Sequence, residues 1–383
     1  MHITKDVIYA GVSDKDKDLF EGQYKVPNGV SYNSYVILDE KTAVIDTTDG
    51  AFCDEWLSNV ERALAGRDAD YLVVQHMEPD HSSNIIGFAR RYPEALIVAS
   101  EKAFSMMKNF YGSSFEERRV VVKEGDTLAL GRHTLSFISA PMVHWPEVIM
   151  SYDACDKILF TADGFGRFGS TSEEDEWKNE ARRYYIGIVG KYGPQVSSVL
   201  KKAAALDIKT ICPLHGPVLT KNLEYYIDLY TKWSSYTPEE DGVVVAYASI
   251  YGNTRAAAEI LAQKIGEHTN VKLFDLSRCD IHEAIACAFA YPKLVLASST
   301  YNGEVFPSMR AYISGLVERG YRARTVAFIE NGSWAPMATK QMRALLEGCK
   351  DLTFTEAGVK ILSSVSDKNR DEIEALAQEL CSK

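Results

Sequence analysis

The sequence predicts a two-domain α/β protein, in which two sheets flanked by helices are followed by a doubly wound parallel sheet. Three features of the 383 residues support this prediction. Residues 1–236 alternate β-rich stretches with helical patterns, residues 242–383 alternate short apolar runs with helices, and the polar segment 233–241 contains Pro238 and three consecutive acids. Such orders of strands and helices are typical of layered α/β domains. The chain is long enough for two cores.

In the first domain, residues 35–38 and 43–46 flank a polar turn and predict a hairpin. Residues 120–123, 127–130 and 133–138 predict further antiparallel strands, and helical patterns cover 52–65 and 82–92.

In the second domain, continuous apolar runs at 243–247, 272–276, 294–297 and 325–329 alternate with helices, the first of them at 254–266. Strands that are apolar on both faces indicate a parallel sheet covered by helices on both sides.

Composition and charge exclude several classes of protein. With 46% hydrophobic and 25% charged residues the chain is an ordinary globular protein, and its net charge of -11 argues against nucleic acid as a general partner. No apolar run approaches the roughly 18 residues of a membrane helix, and the N-terminus has no signal-peptide pattern. The seven cysteines are scattered and form no C-x-x-C pair, which argues against disulfides, thiolate zinc or rubredoxin-type iron and predicts a reducing, cytoplasmic setting.

A metal site is predicted where the apolar run 71–75 ends. The next six residues contain four potential ligands, namely His76, Glu78, Asp80 and His81. Pro79 favours a sharp turn there, because it continues neither a helix nor a strand. Successive side chains of a strand point to opposite faces, which places His76, Glu78 and Asp80 on one side. The turn then brings His81 to the same side. The alternative is a polar loop that caps the next helix through Asp80 or Ser82.

Three distant residues favour the metal site over the capping loop. His144, Asp163 and His215 each follow a predicted strand and precede turn residues, where folds tend to place functional groups. Asp46 has a similar position, and we expect it to orient a ligand through a hydrogen bond.

The set resembles the motif of the metallo-β-lactamase fold, H-x-H-x-D-H followed by later His, Asp and His residues. Glu78 stands where that motif has its second histidine. This replacement is typical of the flavodiiron proteins, also called A-type flavoproteins, and the resemblance covers essentially the whole chain. It implies a metallo-β-lactamase-like αββα sandwich with two iron ions in residues 1–236 and a flavodoxin-like FMN-binding domain in residues 242–383. A carboxylate in place of an imidazole also favours iron over zinc.

The resemblance further implies which residues bind which iron. One iron would be bound by His76, Glu78 and His144, the other by Asp80, His81 and His215, with Asp163 bridging. In some members of the family the residue equivalent to His81 does not reach the metal. The iron ligands themselves form the catalytic site, and no separate acid or base is assigned.

A second motif, Gly164 to Gly169, has the form G-x-G-x-x-G. A dinucleotide site would also need a strand that ends in Asp or Glu about 20 residues later, whereas residues 179–192 predict a charged helix and a loop. The glycines are better explained as a bend around Asp163.

Three loops of the second domain predict a flavin site. Residues 249–254 join a buried strand to a helix, whose N-terminus favours phosphate, and the absence of Lys argues against a P-loop NTPase. Residues 298–303 and 330–334 follow later parallel strands, where ligands bind in this architecture. The predicted cofactor-binding residues are Ser249, Ile250, Tyr251, Gly252, Asn253, Thr254, Ser299, Thr300, Tyr301, Asn302, Gly303, Asn331, Gly332, Ser333 and Trp334. The alternatives are a capped helix without ligand and aromatic residues that belong to the core.

Together the loops resemble those of flavodoxins, which implies non-covalent FMN. A flavin and a diferrous centre store four electrons, which suits reduction of dioxygen to water and also of nitric oxide to nitrous oxide. Because no C-x-x-C pairs are present, we expect a separate electron donor, a rubredoxin or a reductase. The resemblance implies a head-to-tail homodimer or a dimer of dimers.

Two other functions are compatible with parts of this pattern. A zinc hydrolase fused to a flavodoxin would share the fold, but Glu78 argues against it. A flavodoxin-like electron carrier with an inactive first domain would not need the complete ligand set.

Overall fold

Two compact units make up the chain. The computed structural model describes residues 1–169, 171 and 176–382. The first unit comprises Met1–Tyr185 and Tyr192–Thr231, and the second comprises Ile186–Lys191 and Lys232–Lys383.

Short strands form two main sheets in the first unit. In chain order they are β1 (Val7–Tyr9), β2 (Val12–Asp14), β3 (Leu19–Phe20), β4 (Tyr24–Lys25), β5 (Val30–Tyr32), β6 (Tyr35–Ile37), β7 (Ala43–Ile45), β8 (Tyr71–Val73), β9 (Leu96–Ala99), β10 (Arg119–Val121), β11 (Thr127–Ala129), β12 (Thr134–Ser139), β13 (Ile149–Asp153), β14 (Ile158–Phe160) and β15 (Thr210–Cys212). Within the described residues, one sheet has the order β1-β6-β7-β8-β9-β10 and the other the order β11-β12-β13-β14-β15. Two small pairs, β2 with β5 and β3 with β4, lie outside these sheets.

The core of this unit lies between the two sheets. Side chains such as Ile45 and Val98 from the first sheet share one buried cluster with Phe137 and Phe160 from the second. The described helices are α1 (Cys53–Leu64), α2 (Pro79–Ser82), α3 (Ile85–Arg91), α4 (Glu101–Tyr111), α5 (Trp177–Tyr184), α6 (Gly193–Ala203) and α7 (Leu223–Ser234). Of these, α1 contacts β6 and α6 contacts β12, so helices cover both sheets. The predicted αββα sandwich is confirmed.

Local predictions for this unit hold with two corrections. The hairpin is formed by β6 and β7, which pair antiparallel. The strand expected at 120–123 is instead Arg119–Val121 and pairs in parallel with β9, so the prediction of an antiparallel partner was wrong. The helix expected at 82–92 is divided into α2 and α3, which are separated by Ser83 and Asn84.

The second unit is built on a parallel sheet. Its strands are β16 (Val243–Ala248), β17 (Val271–Asp275), β18 (Lys293–Tyr301), β19 (Glu304–Val305), β20 (Thr325–Asn331), β21 (Thr353–Phe354) and β22 (Val359–Ile361), and its helices are α8 (Asn253–Gly266), α9 (Ile281–Ala290), α10 (Pro307–Glu318), α11 (Ala338–Leu345) and α12 (Asp367–Cys381). The order β17-β16-β18-β20-β21 is that of a doubly wound flavodoxin-like sheet, as predicted. A short antiparallel strand, β19, pairs with β18, and β22 continues the edge beside β20.

Both faces of this sheet are covered. Alternate residues of β16, for example Val243 and Val245, pack with α8 and α12 in one cluster. Helices α9 and α10 also contact β16. None of the helices in the described ranges is long and apolar enough to cross a membrane.

Candidate metal centre

All seven predicted ligands come together at the ends of strands in the first unit. One group contains His76, Glu78, His144 and Asp163, and a second contains Asp80, His81 and His215. Within each group the potential ligand atoms all lie within 4.8 Å of one another. The sequence separates these residues by up to 139 positions, so the fold alone assembles the cluster.

The loop after β8 is shaped to present ligands rather than to cap a helix. Pro79 occupies the first turn of α2, where its missing N–H removes no helical hydrogen bond. Glu78 is the N-cap residue of α2. Its side chain makes no hydrogen bond that caps this helix within residues 1–169. Neither Asp80 nor Ser82 acts as the cap, so the alternative reading of this loop is not supported.

The loop after β14 turns around Asp163. Gly164 donates its N–H to the Thr161 carbonyl at 2.9 Å, and Gly166 donates to the Asp163 carbonyl at 3.1 Å. A Cβ on Gly164 would lie 3.0 Å from the Thr161 oxygen. Residues 162–165 therefore form tight turns, and no helix begins within the glycine motif at residues 164–169.

Asp163 offers one carboxylate oxygen to each group. Its Oδ2 lies 3.4 Å from His76 Nε2 and 3.1 Å from His144 Nε2. Its Oδ1 lies 3.2 Å from His81 Nε2 and 3.8 Å from His215 Nε2. This is the arrangement expected of a carboxylate between two metal ions.

Each group has a further carboxylate of its own. Glu78 Oε2 lies 3.3 Å from His76 Nε2 and 3.0 Å from His144 Nε2. The remaining group uses Asp80, whose Oδ2 lies 3.5 Å from His81 Nε2 and 3.4 Å from His215 Nε2. The site thus contains two similar sets of imidazole nitrogens and carboxylate oxygens.

Several buried ligand atoms have no hydrogen-bond partner among the described residues: His76 Nε2, both carboxylate oxygens of Asp80 and both of Asp163. The Nε2 atoms of His81 and His215 face each other at 3.0 Å. Buried polar atoms are rarely left without a partner, because that costs free energy. A donor set of imidazole and carboxylate suits a pair of non-haem iron ions, so these residues fit such a centre.

Charges in the cluster favour positive ions. Burial lowers the pKa of His144, but the carboxylates of Asp163 and Glu78 outweigh burial and raise this pKa to about 9. Burial alone would raise the pKa of Asp163, yet the imidazoles of His76 and His144 hold it well below its usual range. Protons and metal ions compete for the same lone pairs, so metal binding releases protons here.

Asp46 accepts hydrogen bonds where β8 leads into the first group, and its role in orienting a ligand stays a prediction. Its Oδ1 accepts the N–H of Gln75 at 2.7 Å and that of His76 at 3.3 Å, and its Oδ2 accepts from Gln75 Nε2 at 3.1 Å. Burial raises the pKa of Asp46 to about 6, although the charge of His81 and these hydrogen bonds act in the opposite direction.

The sequence did not reveal two partners of the ligand histidines. Glu147 Oε1 accepts from His76 Nδ1 and from the Met77 N–H, both at 2.8 Å. The Ser31 carbonyl accepts from His215 Nδ1 at 2.7 Å. The only sequence signal was the position of Glu147 three residues after a predicted ligand.

Aromatic side chains surround His215. The rings of Phe20, Tyr184 and Tyr32 have centroids 5.3, 5.4 and 5.8 Å from its imidazole. The hydroxyls of Tyr32 and Tyr184 are buried and lack a hydrogen-bond partner within the described ranges. Burial, and then the charges of Asp163 and other ligands, raise the pKa of Tyr184 well above its usual value, so its hydroxyl keeps its proton.

Near this site, Glu21 lies at the tip of the β3–β4 hairpin in a left-handed conformation (φ 49°). Glu21 has an exposed side chain, but partial desolvation of its carboxyl group and the neighbouring Glu78 raise its pKa to about 7, while His144 acts in the opposite direction.

A cavity of about 460 Å³ lies in the second unit, at the carboxyl ends of β16, β18 and β20. The predicted flavin residues line it, except Gly252 and Tyr301. Gly252 is the N-cap of α8 with φ 92°, and Tyr301 packs edge-on against Phe306 at 5.5 Å. The sequence analysis missed three lining residues, which are Ala335, Met337 and Ser363.

The cavity fits FMN. Tyr251 and Trp334 are 92% and 91% exposed at its mouth, so neither belongs to the core. The N-terminus of the 14-residue helix α8 faces the cavity through Asn253 and Thr254 and suits a phosphate. Ser299 Oγ is buried and has no partner within the described part of this unit.

Known proteins match both units. Residues 30–216 match the ODP family of β-lactamases, and residues 245–364 match the flavodoxin family. The chain is 28% identical to the anaerobic nitric oxide reductase flavorubredoxin of Vibrio vulnificus over 392 residues, which cover 99% of this chain and 77% of that protein.

Solved structures share the fold of both units. The flavodiiron protein from Giardia intestinalis has a TM-score of 0.93 at 26% identity and covers 99% of this chain and 95% of its own. The rubredoxin oxygen:oxidoreductase from Desulfovibrio gigas has a TM-score of 0.92 at 24% identity, with coverage of 100% and 97%.

A β-lactamase-like domain with a two-metal ligand set, joined to a flavodoxin domain, defines a class of flavin-dependent, non-haem iron oxidoreductases. Within that class the chain is similar over its whole length to the flavodiiron proteins. Its cofactors are accordingly FMN and two iron ions.

Proposed function

We propose that this flavodiiron protein reduces dioxygen to water, nitric oxide to nitrous oxide, or both, with electrons that pass through FMN. The observation that supports this most strongly is the position of Asp163, which directs one oxygen to each of two ligand groups. The names of two relatives, a nitric oxide reductase and an oxygen oxidoreductase, agree with this range of substrates.

The ligand groups would each hold one iron, with His76, Glu78 and His144 for the first and Asp80, His81 and His215 for the second. His81 is included because its Nε2 points at Asp163 Oδ1 from 3.2 Å. When bound, the two ferrous ions and the reduced flavin together supply four electrons and a Lewis-acidic position for a diatomic gas.

The chain's own residues would orient the gas through hydrogen bonds. The hydroxyls of Tyr184 and Tyr32 are donors without a partner in the described structure, and both rings contact His215. We propose that the Tyr184 hydroxyl would donate a hydrogen bond to a diatomic gas held at this site and would so orient it. The rings of Phe20 and Trp145 restrict water, because they pack against His215 and His76.

We further propose a separate electron donor, a rubredoxin or a reductase. The names of the relatives from V. vulnificus and D. gigas both contain rubredoxin. The exposed Tyr251 and Trp334 at the mouth of the flavin cavity support a head-to-tail homodimer or a dimer of dimers, in which a second copy would cover them. A reducing, cytoplasmic setting is supported by the cysteines, none of which forms a disulfide in the described ranges.

The test combines metal analysis with anaerobic assays of both gases, driven by a reduced rubredoxin. We expect two iron ions and one FMN per chain, and consumption of at least one gas. His144→Ala should abolish that consumption while FMN is retained. Two zinc ions and no iron would support a hydrolase instead, and undiminished consumption by the variant would show that the site is wrong.

A further inference from the structure

The two metal positions differ in the groups that accept hydrogen bonds from the Nδ1 atoms of their histidines. In the first group, His76 donates its Nδ1–H to the buried Glu147 carboxylate at 2.8 Å. In the second group, His215 donates to a backbone carbonyl, that of Ser31, at 2.7 Å. His81 Nδ1 is buried and has no hydrogen-bond partner among the described residues.

These differences change how well each imidazole binds a metal. A histidine can offer Nε2 to a metal only when its proton sits on Nδ1, and a carboxylate acceptor at Nδ1 stabilises that tautomer and makes Nε2 more basic. Glu147 does this for His76. For His81 the effect is unfavourable. The tautomer that binds metal through Nε2 carries its proton on Nδ1, and this buried N–H has no hydrogen-bond acceptor among the described residues.

Packing alone does not explain why a carboxylate occupies position 147. Its side chain is fully buried, and while Oε1 accepts two hydrogen bonds, Oε2 accepts none from the residues that the structure describes. A buried carboxylate oxygen without a partner is unfavourable for folding. The negative charge of Glu147 instead favours a cation bound at Nε2, the other ring nitrogen of His76.

We infer that Glu147 is a positioning residue for the iron held by His76, Glu78 and His144, and that it makes this position the tighter of the two. The position held by Asp80, His81 and His215 is the weaker one. This inference rests on the proposed function, since it assigns unequal roles to the two iron ions of that site.

The test is an anaerobic titration of the full FMN-containing chain with ferrous ion after chelation of its metals. The wild type should bind two ions in two resolved steps. Glu147→Gln keeps the volume and a hydrogen-bond acceptor but removes the charge, and it should raise the Kd of the tighter step by about 10- to 100-fold. His81→Ala should raise only the Kd of the weaker step.

A matched control is Asp153→Asn, which alters a similar buried pair away from the site, where His133 Nδ1 lies 2.9 Å from Asp153. It should leave both steps unchanged. Mössbauer spectra of the ⁵⁷Fe-loaded protein give a second readout, because Glu147→Gln should shift only one of two ferrous doublets. If Glu147→Gln does not fold, Glu147→Asp replaces it, with a smaller increase expected in the same step.

Two equal steps in the wild type, or a Glu147→Gln variant that binds both ions as the wild type does or weakens both equally, would overturn the inference. Failure of the proposed function has a different signature. In that case the wild type consumes neither gas, whatever its metal affinities are.

Discussion

At the scale of single residues, the predicted ligands depend on partners that only the folded chain brings to them, namely Glu147 beside His76 and the Ser31 carbonyl beside His215. The predicted ligands could be recognised in the sequence because reactive residue types follow apolar runs, both from His76 to His81 and at the three distant positions. Glu147 and Ser31 act through atoms that approach a ligand only in the folded chain, and a backbone carbonyl has no side-chain signal at all. The aromatic residues around His215 look like ordinary core residues in the sequence.

Tyr184→Phe tests the proposed hydrogen-bond donor. Loss of a positioned hydroxyl should lower turnover on the order of 100-fold, while iron and FMN contents stay the same. Steady-state gas consumption with metal analysis measures both. Tyr321→Phe is the matched control, since Tyr321 is also buried with an unpartnered hydroxyl in the described structure but lies in the second unit. Equal activity of Tyr184→Phe and the wild type would remove Tyr184 from the mechanism.

At the scale of elements, the loops that follow strands determine where the ligands point. Gly216 follows His215 with φ 78°, and a Cβ there would lie 2.6 Å from Arg167 Cγ. The strand pattern predicted β10 but not its partner, because an apolar stretch does not specify whether its neighbour is parallel or antiparallel. The parallel sheet of the second unit was easier to predict, since its strands are long apolar runs at regular spacing.

Gly216→Ala should destabilise the fold by about 2 kcal/mol, because alanine disfavours the left-handed backbone at this position and its Cβ would collide with Arg167. The substitution should also displace His215 and so lower the iron content. Chemical denaturation and metal analysis measure the two effects. Gly66→Ala is the control, because Gly66 has φ 86° with nothing within 4 Å of an added Cβ. It should cost about 1 kcal/mol and leave iron bound. Normal iron in Gly216→Ala would contradict this account of the loop.

A buried ion pair between His133 and Asp153 links the loop of the β11–β12 hairpin to the end of β13. The hydrogen bond to Asp153 raises the pKa of His133, so this contribution to stability is present below the usual imidazole value and is lost as pH rises through the raised pKa. Burial acts against it, but the hydrogen bond from His133 holds the pKa of Asp153 below its usual value, so that contribution is lost as pH falls through the lowered pKa.

Asp153→Asn should therefore lower the free energy of unfolding by about 2 kcal/mol near pH 6 and by less in alkaline solution. Denaturation of the metal-free protein across the pH range measures this dependence. A cost that does not change with pH would show that His133 is not charged in the folded chain.

At the scale of the whole molecule, the two units and their cofactors define the activity together. The change in composition around residues 233–241 could be recognised in the sequence, because a polar, acidic segment separates two different patterns of strands and helices. The contacts assign the short stretch Ile186–Lys191 to the second unit, far from its other residues in sequence. This assignment depends on tertiary contacts, which a local sequence pattern does not predict.

The most direct test of the central claim is the electron stoichiometry of gas consumption by the fully reduced, iron- and FMN-loaded chain. Four stored electrons should be consumed per dioxygen without release of peroxide, or one electron per nitric oxide with formation of nitrous oxide. His144→Ala, with its FMN intact, should show neither reaction. Release of peroxide by the wild type and the variant at similar rates would contradict the account, because it would mean that the flavin alone reacts with oxygen.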